Sequence, residues 1–375
     1  MTKLPKWADM VLVPVISLVL AAAISAVVIL LIGGDPVEAV KVMVDGALGS
    51  PYGWGYTLYY ATSFIFTGLG VTVAYHAGQF NIGGEGQAQL GGLGVALVCL
   101  AFPWTHWWMA LPAAMIGAAL FGAAWAGIPA WLAAKRGSHI VITTIMFNYI
   151  AAALIVYLLV EVMRPTGQMD PATPRFGAGA ALPGLHDLPG LNLIFTRKVP
   201  ANVTFFIAIL ACVGVWLLLW RSRLGYEIRA FGQSDSAARY AGISSTKVIM
   251  ASMLISGGLC GLMSINNVMG EAGRLLQNSS EGAGFIGIAV ALMGRNHPLG
   301  VFLAALLFGF LYQGGAEMGL WTNIPIELRL LLQGLVILFT GALDNMVRMM
   351  IAPFFRGAAR RNAQDRAAAG GVDGL

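Results

Sequence analysis

The chain has 375 residues, of which 58% are hydrophobic and only 10% charged, with a formal net charge of +5. That is more apolar side chain than a soluble domain can hide from water. Glycine, at 48 residues, is scattered inside the apolar runs without a repeat, which excludes collagen and low-complexity chains.

In chain order the first apolar stretch is 10–32, unbroken and uncharged. Lys3 and Lys6 ahead of it and the small residues Ala21, Ala22 and Ala23 within it mimic a signal peptide. Its length, at about 1.5 Å per residue against a hydrocarbon core of about 30 Å, predicts a retained span. Further segments follow at 56–75, 82–102, 107–134, 140–160, 201–220, 248–270, 283–293, 301–318 and 328–343. None alternates with period two, and backbone polar groups in lipid must be satisfied within the segment, so helices are expected and not a barrel. The expected fold is an all-α integral membrane protein with about ten spans. Residues 1–347 form a single transmembrane domain, and 348–375 form a basic, disordered cytoplasmic tail.

Orientation follows from the loops. Placing the N-terminus inside leaves about two thirds of the 22 lysines and arginines on the inner side, so both termini are expected in the cytoplasm. This bias accounts for the net positive charge without a nucleic-acid partner, and a basic tail beside a membrane meets anionic lipid. The proline-rich stretch 161–200 is then an irregular external loop, and 221–247 is the longest cytoplasmic connection. Segments two to five and seven to ten begin on opposite sides, and each set contains a glycine-rich run, Gly78 to Gly94 and Gly282 to Gly294. A weak inverted repeat is one reading, since interrupted helices at matching places mark translocation sites. Close helix packing through glycine is the other.

Two stretches carry the functional expectations. His76-Ala-Gly-Gln-Phe-Asn-Ile-Gly-Gly-Glu-Gly-Gln87 is a poor helix, because each interior glycine costs about 1 kcal/mol relative to alanine. A break in the helix is expected there, with Phe80, Asn81, Gly84, Glu85 and Gln87 along a substrate pathway. Glu85 either faces a cavity or lies at a helix N-terminus, and the sequence favours neither. Asn148 and Asn267, inside later segments, are further pathway candidates, although buried amides also join helices. Between Arg229 and Ile243, Asp235 or Ser234 offers an N-cap, Ala237 and Ala238 favour helix, and Gly242 stops it. A short cytoplasmic helix is expected, with Arg239 and Tyr240 as contacts for another protein; a solvated loop is the plainer reading.

The FNIGGEGQ run at 80–87, the AARYAGI run at 237–243 and the VALMGRNHPLG run at 290–300 together resemble permeases of the ribose-type branch of type II ATP-binding-cassette importers, and within them nucleoside-uptake permeases. The likeness extends from about residue 56 to 345. It implies a ten-helix permease that works with ABC ATPase subunits, a second related permease and an extracytoplasmic substrate-binding lipoprotein in a bacterial inner membrane. The substrate it implies is a nucleoside, with ribose or another simple sugar as the alternative. It also implies that Asp235, Ala237, Ala238, Arg239, Tyr240 and Gly242 belong to a helix that docks into the ATPase. An ion-coupled secondary transporter with Glu85 as its carboxylate is the rival reading.

No GxxxxGK(S/T) run occurs, so ATP and Mg are expected on the partner subunits and no cofactor in this chain. HExxH and GxSxG are likewise absent, so no enzyme activity is expected. Cys99, Cys212 and Cys260 stand apart from one another without a CxxC or a histidine cluster, and read as packing residues with no metal site.

Overall fold

The computed structural model describes residues 12–195, 199–322, 325 and 328–339. The basic residues Lys3, Lys6, Arg197 and Lys198, the end of the segment 328–343 and the tail 348–375 lie outside the described residues.

The described helices are α1 (Val13–Leu31), α2 (Pro36–Leu48), α3 (Pro51–His76), α4 (Gly84–Ala101), α5 (Trp107–Arg136), α6 (Ile140–Tyr157), α7 (Thr204–Arg221), α8 (Arg223–Gln233), α9 (Asp235–Tyr240), α10 (Ser245–Ser264), α11 (Ala283–Met293), α12 (Pro298–Trp321) and α13 (Leu328–Ile337). α6 and α10 continue as π-helix over Leu158–Val162 and Ile265–Ala272. Local chemistry sets many boundaries. Ser50 caps α3, its Oγ accepting from Gly53 N at 3.1 Å, with Pro51 in the first helical position. Ser222, Ser234 and Ser244 cap α8, α9 and α10 in the same way. α5 ends on Gly137 at φ +68°, behind Lys135 and Arg136.

Among the described residues six helices are long and apolar enough to cross a membrane: α3, α5, Ile140–Val162, α7, Ser245–Ala272 and α12. Val15–Leu31 and Pro36–Leu48, bent by 119°, make a seventh if they count as one span. Segment 82–102 falls short because Glu85, Gln87, Gln89 and several glycines occupy the front of α4. α11, at 11 residues, reaches only about 16 Å. α2 occupies a region that the sequence reading left as a connection.

The chain divides into two compact units, the described parts of Met1–Val40 with Thr322–Leu375, and Lys41–Trp321. In the first, α1 packs on α13. In the second, α3 is almost wholly buried, surrounded by α7, α10, α11 and α12. Glycine makes the rest of this packing possible. A Cβ on Gly91 would lie 2.5 Å from Cα of Gly261, one on Gly94 2.4 Å from the Gly117 carbonyl, and one on Gly122 2.3 Å from the Gly257 carbonyl. Thus α4, α5 and α10 meet backbone to backbone, the approach that only small residues permit in a membrane. The cysteines are free; Cys260 lies against Gly70 and Gly84, and Cys99 sits in the cluster around α4 and α5.

Candidate functional site

The expected break is present. After α3 the chain turns through Gly78, at φ +67°, and re-enters helix at Gly84. Asn81 organises the turn: its Oδ1 accepts from Gly83 N at 2.9 Å and from Gln87 Nε2 at 3.1 Å, while its Nδ2 donates to Gln87 Oε1 and Ser256 Oγ, both at 2.9 Å. Asn148 of α6 braces the same turn, donating to Ile82 O and accepting from Gly86 N, both at 2.9 Å. The backbone groups freed by the break therefore find amide partners inside the protein, as a polar segment at membrane depth requires.

Glu85 stands in the first turn of α4 with only 6% of its surface exposed. Its Oε1 accepts from Ser280 Oγ at 2.6 Å and Gly282 N at 3.0 Å, and its Oε2 accepts from Gly284 N at 2.9 Å. Gly284 lies in the first turn of α11, Gly282 is its N-cap and Ser280 stands in the turn that leads into it. The two helix N-termini meet head to head, so close that a Cβ on Gly284 would lie 2.2 Å from Glu85 N. One buried carboxylate thus serves two positive helix ends at once. Glu85 thus stands at a helix N-terminus, which is one of the two positions the sequence offers for it.

Asn267 belongs to a second polar cluster, on the π-helical end of α10. It accepts from Ser63 Oγ at 2.9 Å and donates to Ser279 O at 2.8 Å. Beside it Asn266 donates to Tyr59 O at 2.9 Å and accepts from Asn202 Nδ2 at 3.0 Å. The structure therefore brings Asn81, Gly84, Glu85, Gln87 and Asn148 together and sets Asn267 apart, with Phe80 half-buried at the turn. In this conformation the buried amides and Glu85 are bonded to the protein itself. The sequence reading missed their partners Ser256, Ser280 and Gly284, although the glycine-rich run containing Gly284 had drawn notice.

The connection 221–247 folds as two helices, of which α9 is the short one expected. Ser234 Oγ caps it, and it ends before Gly242 at φ +82°. Ala238 is buried, Asp235 half-buried, and Ala237 and Gly242 are exposed. Tyr240 is 97% exposed. Arg239 is exposed; its guanidinium bonds Asp235 and donates from Nε to Ser245 Oγ at 2.9 Å, so it fastens α9 to α10. The hydrogen bond from Arg239 holds the Asp235 carboxyl below its ordinary range.

α8, unforeseen as a separate helix, ties this element to the rest. Its Glu227 accepts from Lys247 Nζ at 3.2 Å and Arg223 Nε at 3.1 Å, and the Lys247 bond is the main reason its pKa is lowered. Gly232 lies against the end of α3, where a Cβ would come within 2.1 Å of His76 O. His76 in turn donates from Nε2 to Asn296 O at 2.9 Å, in the tight α11–α12 turn where Arg295 and Asn296 both adopt positive φ. α8 and the α11–α12 turn thus meet at the end of α3.

A cavity of about 670 Å³ lies elsewhere, between residues of 175–187 with Val199 and Pro200 and the end of the π segment, and none of the expected site residues lines it. Tyr56, Arg175, His186, Asp187 and Glu271 supply its polar side chains. The loop is pinned beside it by Thr173 N to Leu275 O at 3.0 Å and Phe176 N to Gly273 O at 2.8 Å.

Known proteins resemble the chain over most of its length. Residues 54–341 match the family described as branched-chain amino acid transport system, permease component. A glucose ABC transporter permease of Haloferax volcanii is 35% identical, over 87% of this chain and 86% of that one. A guanosine ABC transporter permease of Bacillus subtilis is 36% identical, over 88% and 93%. A nucleoside ABC transporter permease of Lactococcus lactis is 34% identical, over 91% and 93%. No solved structure matches the chain. With the family match running through the Glu85 junction, both helices of the α8–α9 connection and the long apolar helices, the chain belongs to this family of transport permeases and is a multi-pass membrane protein.

Proposed function

We propose that this chain is the permease subunit of an ATP-driven importer of nucleosides. The observation that carries the reading is near-full-length similarity to the guanosine and nucleoside permeases, at 36% and 34% identity. The glucose permease, at 35%, supports a simple sugar as the second reading. A nucleoside contains a sugar ring, so the two readings share part of their chemistry.

In this reading both termini are cytoplasmic, the chain sits in a bacterial inner membrane, and α4, α11 and α13 complete about ten crossings together with their neighbours. The meeting of α4 and α11 through Glu85 supports the inverted repeat. A separate ATPase docks on α9, a second permease completes the pathway, and a substrate-binding lipoprotein delivers the ligand. Closure of the ATPase displaces α9; the Arg239–Asp235–Ser245 bonds pass the movement to α10, and Gly232 of α8 passes it to His76 and the broken segment. Alternating access then amounts to moving the joined α4–α11 ends relative to the asparagine cluster at Asn266 and Asn267. Asn81, Gln87 and Asn148 keep the break in shape while it moves.

Uptake of labelled guanosine, uridine and glucose by cells with and without the gene tests the substrate. Gene-dependent guanosine or uridine uptake is the expected result. Uptake of glucose alone keeps the transport role and changes the substrate.

A further inference from the structure

The roughly 670 Å³ cavity has the size of a small-ligand site, and its polar groups are mixed in a telling way. Asp187 and Glu271 bring two carboxylates, Arg175 one guanidinium and His186 an imidazole, with the Tyr56 and Phe176 rings beside them. His186 Nδ1 is buried without a hydrogen-bond partner among the described residues, while its Nε2 lies 3.5 Å from Asp187 Oδ1. Asp187 Oδ2 accepts from Gly184 N at 3.0 Å, which fixes the carboxylate in place. Carboxylates accept from hydroxyls, Arg and His donate to ring and hydroxyl oxygens, and aromatic rings cover the apolar face of a sugar or base. A ligand rich in vicinal hydroxyls and without negative charge satisfies this set; an anion meets two carboxylates.

The location matters as much as the lining. Met269, Gly270, Glu271 and Ala272 line this cavity from the last turns of the π segment that continues α10. At its other end α10 begins at Ser245, bonded to Arg239 and Asp235 of α9. One continuous element therefore runs from the exposed short helix to the cavity wall. π-Helical turns commonly occur at functional sites and can be absorbed or regenerated by a small change of register.

We propose that this cavity is an acceptor site for the polyhydroxylated ring of the transported solute, with Asp187 and Glu271 receiving its vicinal hydroxyls. The proposal rests on the import reading above and adds to it the place where solute first contacts this subunit. Occupancy at Glu271 is linked through α10 to the α9 end.

The test uses the full permease–ATPase complex in detergent without binding protein, and ligand-observed saturation-transfer NMR with adenosine and with ribose in separate arms. Transfer to the sugar protons is expected for adenosine, for ribose, or for both, and the responding arm identifies the ligand. Asp187→Asn and Glu271→Gln should each weaken binding about tenfold or more, since a hydrogen bond to a charged group is lost. Unchanged co-purification of the ATPase shows that the exposed-site variants fold. Absence of transfer from both compounds, or equal transfer in wild type and both variants, overturns the acceptor site. Gene-dependent nucleoside uptake alongside that negative result leaves the import reading standing, whereas absence of both nucleoside and sugar uptake removes the reading itself.

Discussion

Two carboxylates at helix starts, Glu85 and Asp235, show how one functional group is put to opposite uses. Glu85 is buried, has three neutral donors at and just before the start of another helix, and joins the starts of α4 and α11. Asp235 is half-exposed and is paired with Arg239 one turn later in its own helix, which ends on the fully exposed Tyr240. Burial makes the first a structural junction, since losing it strands donors that have no water to turn to. Exposure makes the second pair cheap to break, and directs attention to the contact surface that it presents.

The sharpest way to break this contrast is Glu85→Ala. It leaves Ser280 Oγ, Gly282 N and Gly284 N without their acceptor and should cost about 3 kcal/mol or more. A fall in the thermal midpoint of the detergent-solubilised protein reads this out, and Glu85→Gln, which keeps an acceptor oxygen, should fall less. Next comes Gly232→Ala, whose added carbon meets His76 O and must push α8 from the end of α3. A cost of about 1–3 kcal/mol is expected, together with reduced uptake at normal expression. Tyr240→Ala should leave stability within about 0.5 kcal/mol, yet reduce ATP-driven uptake tenfold or more if α9 is the docking element. The smallest effect concerns pH. The Arg239 bond lowers the folded-state pKa of Asp235, so its contribution is present above the ordinary carboxylate range and is lost as pH falls through the lowered value. Asp235→Asn should therefore lower stability slightly near neutrality and converge with the wild type as pH falls through the lowered value, which flattens the acid limb of the stability–pH curve.

Sequence reasoning located the long helices well, because α3, α5, α6, α7, α10 and α12 are runs whose length and apolarity have no soluble explanation. The break at Gly78–Gly83 was equally legible, since glycine and amide residues there disfavour helix. What the spacing of residues did not carry was who bonds whom. Glu85 and Ser280 are 195 residues apart, and Asn266 and Ser63 are 203 apart. Polar residues inside apolar runs invited a ligand-binding reading, whereas a low-dielectric interior first demands partners for them within the fold. α2 escaped notice because Glu38, Lys41 and Asp45 interrupt its apolar character, and α8 because its charges resembled a loop. The cavity at Asp187 and Glu271 gave no motif at all: its members come from a proline-rich loop and from the end of a span, brought together only by the fold.

The most direct test of ATP-driven import is guanosine uptake in cells carrying this permease with either the intact partner ATPase or one whose phosphate-binding lysine is changed to alanine. Uptake that falls to the level of permease-deleted cells is the predicted result. Gene-dependent uptake that persists with the disabled ATPase would contradict the account and point to an ion-coupled transporter.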